Sequence, residues 1–161
     1  MRRKDREVTE VRDILNIVGR AKILHLGLFD QEYPYIVPLH YGYELVDGTL
    51  VFFMHSAESG QKLALIRNNA NVCIELDCDI ELISGGDNPC EYGSAFASVI
   101  GWGRAEIVSD EEEKIKGLRL LMENQTGRDF EIDSSMASSV AVIKVVVSEF
   151  MAKSRPMPHL D

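Results

Sequence analysis

A lysine stands at the start of a short predicted helix, where a positive charge is normally unfavourable. The stretch HSAESGQKLALIRNN, residues 55–69, closes one apolar run and opens another with the spacing of a helix. Lys62 would lie in its first turn, where the partly positive end of the helix dipole disfavours a cation. Small preceding residues let the backbone approach a ligand closely, and the first helical N–H groups lack partners within the helix. The turn is therefore predicted to bind an anion such as phosphate; the alternative is a solvated lysine on an exposed helix face.

A second candidate is a glycine pair within a predicted strand. Gly101 and Gly103 flank Trp102 in the run ASVIGWGRAEI, but a dinucleotide-binding fingerprint would need a third glycine and a following helix. Two glycines inside a strand are typical of a β-bulge, or of close approach by another backbone or a ligand ring. Both interpretations stay open.

One of the four histidines is a candidate for chemistry. His40 follows Pro38 in the run PYIVPLHYGYEL, and a proline within a strand marks an edge where backbone groups are free to bond a ligand. His40 is therefore the predicted catalytic residue, as a proton donor beside a substrate. His25 and His55 fall in predicted strands and are interpreted as structural residues. No two histidines have metal-binding spacing, so we predict no metal site.

The charge and the cysteines limit the classes of protein that fit. With a net charge of −9, the chain is expected to repel nucleic acid and anionic membrane surfaces. Cys73, Cys78 and Cys90 are an odd number without zinc-ligand spacing, which indicates reduced thiols, with Cys73 as a small core residue. No signal segment and no bilayer-length apolar run is apparent, which predicts a cytoplasmic location and no membrane partner.

The predicted elements follow the order helix, three strands, short helix, two strands, helix, strand. The first helix covers 6–18, the strands and two helices lie within 22–152, and a short tail follows. A loop is predicted over 81–90, and Ser109 is predicted to cap a helix that ends near residue 124. Consecutive strands joined by hairpins indicate a mainly β fold with flanking helices in a single domain, 1–161. About six such strands favour a closed or split antiparallel barrel.

Three segments together resemble a known family. They are ILHLGLFDQEYPYIVPLHYGYE (23–44), FFMHSAESGQKLALIRNNANVCIELD (52–77) and YGSAFASVIGWGRAEIVSDEEEK (92–114). In this order the chain resembles the pyridoxamine 5'-phosphate oxidase-like, FMN-binding split-barrel superfamily, and within it the NimA-type 5-nitroimidazole resistance proteins. The resemblance implies a six-stranded antiparallel split β-barrel that forms a homodimer, with FMN in clefts at the interface. The chain lacks the arginine-containing segments with which the oxidases proper bind phosphorylated substrate, so vitamin B6 oxidation is not expected.

The resemblance also implies which residues bind FMN. The phosphate would lie on the turn that ends at Lys62, the ring along the Pro38 strand, and further contacts would come from the ASVIGWG strand. The implied cofactor-binding residues are Pro38, Leu39, His55, Ser56, Ala57, Gly60, Gln61, Lys62, Ser98, Val99, Trp102 and Gly103. Trp102, Tyr41 and Tyr92 are candidates for an aromatic wall beside a substrate; the alternative for each is a buried core residue, since strands regularly bury aromatic side chains.

The predicted function is FMN-dependent reduction of small, electron-poor substrates such as nitroimidazoles, with the cofactor supplying the redox chemistry. An alternative is a flavin- or haem-binding module with a sensing or storage role, in which His25, His40 or His159 would be an axial ligand. A third possibility is a dimeric barrel whose cleft binds no cofactor.

Overall fold

The structure is a computed structural model, and it describes residues 3–158. The helices are α1 Val11–Arg20, α2 Gln61–Asn68, α3 Glu111–Thr126 and α4 Ser134–Ser138, with 3₁₀ turns at Lys4–Arg6 and Pro89–Glu91. The strands are β1 Glu7–Val8, β2 Leu24–Asp30, β3 Tyr33–Leu39, β4 Gly42–Val46, β5 Thr49–Ser56, β6 Asn71–Ile83, β7 Gly93–Ile107 and β8 Ala141–Arg155.

All of these strands belong to one antiparallel sheet. Its order is β3-β2-β6-β7-β8-β5-β4, and β1 pairs with the far end of β8. The two outermost strands of this order, β3 and β4, are joined by only His40 and Tyr41. Three residue steps reach about 10 Å at most, so the two ends of the sheet must lie side by side. The sheet therefore curls into a barrel that is split between β3 and β4, as predicted.

Alternation along the strands places the barrel core. In β2, Leu24, Leu26 and Leu28 point inward and are buried, whereas the residues between them face outward. The run from Leu50 to Met54 in β5 is buried on both faces. Its outward side chains, Val51 and Phe53, pack in a second cluster that α3 covers. A continuous apolar run is thus accounted for by a helix on the outside of the barrel.

The structure contains two more strands than the six predicted. The run PYIVPLHYGYEL was predicted as one strand, but it divides at His40 and Tyr41 into β3 and β4 because the chain passes from one end of the sheet to the other. The first helix begins at Val11 rather than residue 6, since Glu7 and Val8 pair with Lys153 and Ala152 as the added strand β1.

Three local predictions also need correction. β6 extends to Ile83 and pairs with Gly93, so the loop predicted over 81–90 covers 84–92 instead. The cap of α3 is Asp110, whose carboxylate accepts a hydrogen bond from the Glu113 N–H at 2.8 Å, rather than Ser109. The short helix α4 lies in a segment predicted as a loop.

Candidate cofactor site

The split in the barrel brings two free strand edges next to each other. On one side, β3 pairs only with β2, and Pro34, Ile36 and Pro38 alternate along it. Prolines in sheets occupy positions where the missing N–H would face solvent, so this edge offers carbonyl groups and the Ile36 N–H to a ligand. On the other side, β4 pairs with β5 only as far as Phe53. Residues 54–56 of β5 are therefore unpaired on that flank within the described chain.

The start of α2 closes one end of the split. The amide of Gln61 donates a hydrogen bond to the carboxylate of Asp30 at 2.6 Å, which ties the first residue of α2 to the end of β2. Asp30 pairs with Tyr33 across the β2–β3 hairpin. The turn at 57–60 therefore lies beside the hairpin that carries the free edge of β3.

The N-terminus of α2 has the donors of an anion site. Gly60 precedes the helix with φ +143°, in a region that favours glycine, and a Cβ added there would meet nothing within 4 Å. Within residues 3–158 no side chain caps this terminus, and no acid lies in its first turn. By contrast, Asp110 caps α3, and Glu111, Glu112 and Glu113 fill its first turn.

Lys62 is the cation of this terminus. Its side chain is half-buried, and among the described residues it has no hydrogen-bond or ion-pair partner. Uncapped N–H groups, an open approach at Gly60 and an unpaired lysine are the groups that bind phosphate. The residues present therefore fit the phosphate of FMN.

The other predicted residues of this turn have different environments. Ser56 is buried, and its hydroxyl donates to the Ala57 carbonyl at 2.8 Å, so it is already occupied. The amide of Gln61 is held by Asp30. His55 and Ala57 are exposed. The groups that this turn leaves for a ligand are therefore its backbone and the Lys62 side chain, because the Ser56 hydroxyl already has a partner.

His40 lies at the opposite end of the split and is held in one orientation. Its Nδ1 lies 3.2 Å from the Lys22 carbonyl oxygen. A carbonyl can only accept, so Nδ1 carries the hydrogen and Nε2 is left for a ligand. The ring is exposed, and the neighbouring Leu39 is half-buried opposite Leu24.

Tyr41 cannot form the predicted aromatic wall, because it is fully buried in the barrel core. Its hydroxyl contacts the carbonyl oxygens of Val18 and Ala21 instead. Tyr92 is partly exposed, but its hydroxyl donates to Gly86 in the loop between β6 and β7. Trp102 is the one of the three that lines a cleft.

The predicted residues of β7 lie apart from the split. Along the sheet, β7 is three strands from β3, which corresponds to about 14 Å. Ser98 and Trp102 face the outside of the barrel, whereas Val99 is 0% exposed and packs in the core, so its side chain is closed to a cofactor. Trp102 and Gly103 nevertheless line one outer cleft with Pro34 and Ile36 of β3, whereas Pro38, Lys62 and Ser98 are not among its lining residues.

Gly103 lies at a β-bulge. Trp102 pairs with Glu149, and Gly103 pairs with Val147, so Ser148 is the extra residue of β8. A Cβ on Gly103 would come within 2.1 Å of the Val146 carbonyl oxygen. This close approach of another backbone explains the glycine, and of the two open interpretations the bulge is the one observed.

A cleft of about 930 Å³ opens on the outer face of the barrel. Strands β2, β3, β6 and β7 and one residue of β8 line it; the lining includes His25, Gly27, Phe29, Ile36, Cys73, Glu75, Trp102, Gly103 and Arg104. The prediction of Cys73 as a core residue was wrong, because its neighbours Val72 and Ile74 take the inward positions. Burial raises the pKa of the Cys73 thiol, so it is a protonated, weakly polar part of the cleft.

Sequence reasoning missed most of this cleft. Alternation in LHLGLF already places His25, Gly27 and Phe29 on one face of a strand. What it did not provide was the register that sets Gly27 beside Cys73, and Cys73 beside Trp102. His25 was interpreted as structural, and it does have a partner: its Nδ1 lies 3.0 Å from a Glu75 carboxylate oxygen.

Two negative observations apply to the described residues. Between 3 and 158 no helix combines the length and apolar character that crossing a membrane requires. In the same part of the chain, no three His, Cys, Asp or Glu side chains are grouped so that they would hold a metal ion. His159, one of the three histidines considered for haem, lies outside the described residues.

Solved structures with the same architecture include several flavin- and haem-related proteins. A candidate 5-nitroimidazole antibiotic resistance protein from Bacteroides thetaiotaomicron is 29% identical over 91% of this chain and 85% of that chain, with a TM-score of 0.77. The flavocytochrome Anf3 from Azotobacter vinelandii is 20% identical, covers 100% of this chain and 74% of that chain, and has a TM-score of 0.78. An FAD and heme binding protein from Mycobacterium smegmatis is 12% identical over 97% and 77% of the chains, with a TM-score of 0.77. At identities of 20% and 12%, the last two structures show a shared fold and nothing further.

A search of curated proteins finds no match by sequence. The model of the pyridoxamine 5'-phosphate oxidase family, by contrast, matches residues 10–154, which is nearly all of the described chain. Together with the antiparallel split barrel, this confirms the resemblance drawn from the sequence. The chain belongs to the pyridoxamine 5'-phosphate oxidase family.

Proposed function

We propose that this protein is an FMN-dependent oxidoreductase that reduces small, electron-poor substrates such as nitroimidazoles. The observation that carries the proposal is the uncapped start of α2, where Lys62 has no partner among the described residues and the turn before it is open to a ligand. Family membership and the 29% identical relative of the nitroimidazole resistance type support the same assignment.

The residues of the split would each have a defined part in holding FMN. The backbone at Gly60 and the side chain of Lys62 would bind the phosphate, and the free edge of β3 near Pro38 and Leu39 would bond the ring. When bound, the flavin supplies the electrons of the reduction. His40 donates its Nδ1–H to the Lys22 carbonyl, so it would pass a proton from Nε2 to the substrate in its doubly protonated form and keep a lone pair there afterwards.

We further propose a homodimer with the cofactor at its interface, which the separation of the predicted residues supports. β3 and β7 are about 14 Å apart along the sheet, so we expect a second copy to supply Ser98 to a cofactor bound at the split. The outer face of β2 and β3 carries exposed apolar side chains, among them Phe29, 63% exposed, and Ile36, 62% exposed. Their exposure supports burial of this outer rim against a second copy.

The test compares FMN with riboflavin, which lacks the phosphate. Lys62→Ala is expected to raise the dissociation constant of FMN about tenfold or more, the value of one charge-assisted contact. Riboflavin binding should stay the same in this variant. Lys114→Ala, on α3, is the matched control and should bind both flavins like the unchanged protein. Equal FMN binding by the Lys62→Ala variant and the unchanged protein would refute the phosphate site.

The alternative, a haem- or flavin-binding module without turnover, has one observation in its favour. Nε2 of His40 has no partner among the described residues and is exposed, as an axial ligand requires. The visible spectrum of protein purified without added cofactor tests the haem form, which a Soret band that is lost in His40→Ala would support. Released FMN leaves the oxidoreductase and a flavin module, and steady-state reduction of a nitroaromatic compound with an electron donor separates these two, since only the oxidoreductase turns over.

A further inference from the structure

A closed circuit of hydrogen bonds holds the two-residue link between β3 and β4. Nδ1 of His40 lies 3.2 Å from the carbonyl oxygen of Lys22, and Nζ of Lys22 lies 2.5 Å from the carbonyl oxygen of Asn124. The side-chain amide of Asn124 in turn donates to the carbonyl of Tyr41 at 3.0 Å, and Tyr41 follows His40 in the chain. Lys22 therefore joins His40 to α3, through its carbonyl on one side and its ammonium group on the other.

The ammonium group of Lys22 lies between the C-terminal ends of two helices. It donates to the carbonyl of Gly19, in the last turn of α1, at 3.3 Å, and to that of Asn124, in the last turn of α3. The last carbonyls of a helix have no partners within it and carry partial negative charge, so a cation is favourable there. The last turn of α3 contains no basic residue of its own. Lys22 supplies that cation and ties the two helix ends together.

These contacts constrain the backbone group that accepts from His40. Lys22 lies between the end of α1 at Arg20 and the start of β2 at Leu24, so neither element includes it. Lys22 is also exposed, so burial does not hold it. The two bonds of its ammonium group therefore help to fix the position of its carbonyl, which is the acceptor for Nδ1 of His40.

We propose that Lys22 is a positioning residue that keeps the hydrogen of neutral His40 on Nδ1, through the contacts of its ammonium group with the two helix ends. A carbonyl cannot donate, so the Lys22 carbonyl accepts the Nδ1–H in both charge states of the imidazole. The proton that leaves the charged form is then the one on Nε2: the Nε2–H bond breaks, its electron pair stays on Nε2, and the substrate gains the proton. That a substrate takes this proton rests on the proposed function, whereas the tautomer of His40 does not.

The test measures the tautomer of His40 by NMR of the ¹⁵N-labelled protein as purified. The chain has four histidines, so the ring nitrogens of His40 can be assigned by their loss in His40→Gln. At about pH 8 histidine side chains are ordinarily neutral. Free histidine in water carries its hydrogen mainly on Nε2, so an Nδ1–H form reports an acceptor held beside Nδ1. We expect the Nδ1–H form in the unchanged protein, and a severalfold shift of the tautomer ratio toward Nε2–H in Lys22→Met.

Two further variants separate positioning from general loss of stability. Lys22→Arg keeps a cation that can bond both carbonyls, so it should retain the Nδ1–H form. Lys116→Met is the matched control, because the Lys116 ammonium ties α3 to Glu44 of β4 at 2.7 Å and has no bond to the link. It should leave the tautomer ratio of His40 unchanged. If thermal unfolding shows that Lys22→Met is not folded, Lys22→Gln, with a smaller shift in the same direction, takes its place.

Three results would overturn the proposal: an Nε2–H form in the unchanged protein, an unchanged ratio in the Lys22 variant, or an equal shift in Lys116→Met. Steady-state reduction of a nitroaromatic compound is a separate readout. There Lys22→Met should lower kcat about tenfold with KM unchanged, which is part of the roughly 10²–10⁴-fold that general acid catalysis contributes. A tautomer shift without a loss of kcat would refute the proton-donor role of His40 in the proposed function and leave the positioning role of Lys22 standing.

Discussion

The hydroxyl of Tyr41 lies 2.6 Å from the carbonyl oxygen of Val18, where α1 approaches the two-residue link between β3 and β4. The same hydroxyl is 2.8 Å from the Ala21 carbonyl oxygen. The carbonyl of Tyr41 itself accepts hydrogen bonds from the side-chain amides of Asn124 and Gln125, both at 3.0 Å. The link that bridges the split is therefore fixed to the ends of α1 and α3, and His40 is held with it.

Tyr41→Phe is expected to destabilise the protein, because it leaves buried carbonyl groups without their donor. The cost should be about 1–3 kcal/mol in the free energy of unfolding. For a chain of this length that corresponds to a fall in melting temperature of roughly 2–12 °C, measurable by calorimetry. Tyr43→Phe is the control, since no hydrogen bond of the Tyr43 hydroxyl is observed among the described residues. An equal fall in both variants would contradict this role of the Tyr41 hydroxyl.

Stability should also decrease at alkaline pH. Burial raises the pKa of Tyr41 well above the ordinary value for tyrosine, and burial raises the pKa of Tyr43 in the same direction. Above pH about 10 the unfolded chain releases these protons while the folded chain keeps them, so the free energy of unfolding falls as pH rises. Denaturant titrations from pH 8 to 11 should show a smaller fall in Tyr41→Phe than in the unchanged protein. Parallel curves would exclude Tyr41 as a source.

Gly42→Ala should destabilise the protein at the split. A Cβ at this first residue of β4 would lie 2.2 Å from the backbone nitrogen of Leu121 and 2.3 Å from the carbonyl carbon of Leu120, so α3 would have to move away. Overpacking of this kind costs about 1–3 kcal/mol or more. Gly27→Ala, whose Cβ meets its nearest atom at 3.4 Å, is the matched control and should unfold within a few degrees of the unchanged protein. If the Gly42→Ala protein were as stable as the unchanged protein, the close packing of α3 against Gly42 would be contradicted.

The corrected cap of α3 can be tested with two neighbouring substitutions. Asp110→Ala removes the acceptor of the Glu113 N–H and should cost about 1 kcal/mol in the free energy of unfolding. Ser109→Ala should be nearly neutral, because its hydroxyl makes no such bond. Urea denaturation of both variants measures the difference. The reverse order of stabilities would restore Ser109 as the cap.

If the proposed homodimer forms through the outer rim at Phe29 and Ile36, a single charge introduced there should separate the subunits. Ile36→Glu should shift the mass measured by light scattering from dimer to monomer and reduce FMN retention, since an interface of standard size tolerates a buried, unpaired charge poorly. Val11→Glu, at another exposed apolar position, on α1, should remain dimeric; Val11 is 51% exposed and Ile36 62%. An unchanged protein that is monomeric with full FMN would contradict the interface.

Much of the candidate site was predictable because it depends on local sequence. A turn of small residues before a helix with an unpaired lysine can be recognised in HSAESGQKL alone, since the helix dipole and the orphan N–H groups follow from the helix itself. The β-bulge at Gly103 was one of two open interpretations for the same reason: a glycine in a strand signals a close neighbour, but not which one.

Other features were not predictable, because they depend on which strand lies beside which. Tyr41 was one of three candidates for an aromatic wall beside a substrate, yet it points into the core where the chain crosses between the ends of the sheet. The cleft is formed where Gly27, Cys73 and Trp102 come into one row, and these residues are 46 and 29 positions apart in the chain.

The sequence by itself determined the periodicities, the turn at Lys62 and most of the order of strands and helices, all of which arise from interactions between near neighbours in the chain. Tertiary structure alone decided the register of the strands, the closure of the sheet at His40 and Tyr41, and the cleft on its outer face. The physical reason is that a strand leaves its backbone groups to be satisfied by another strand, and side-chain burial together with the connecting turns selects that partner.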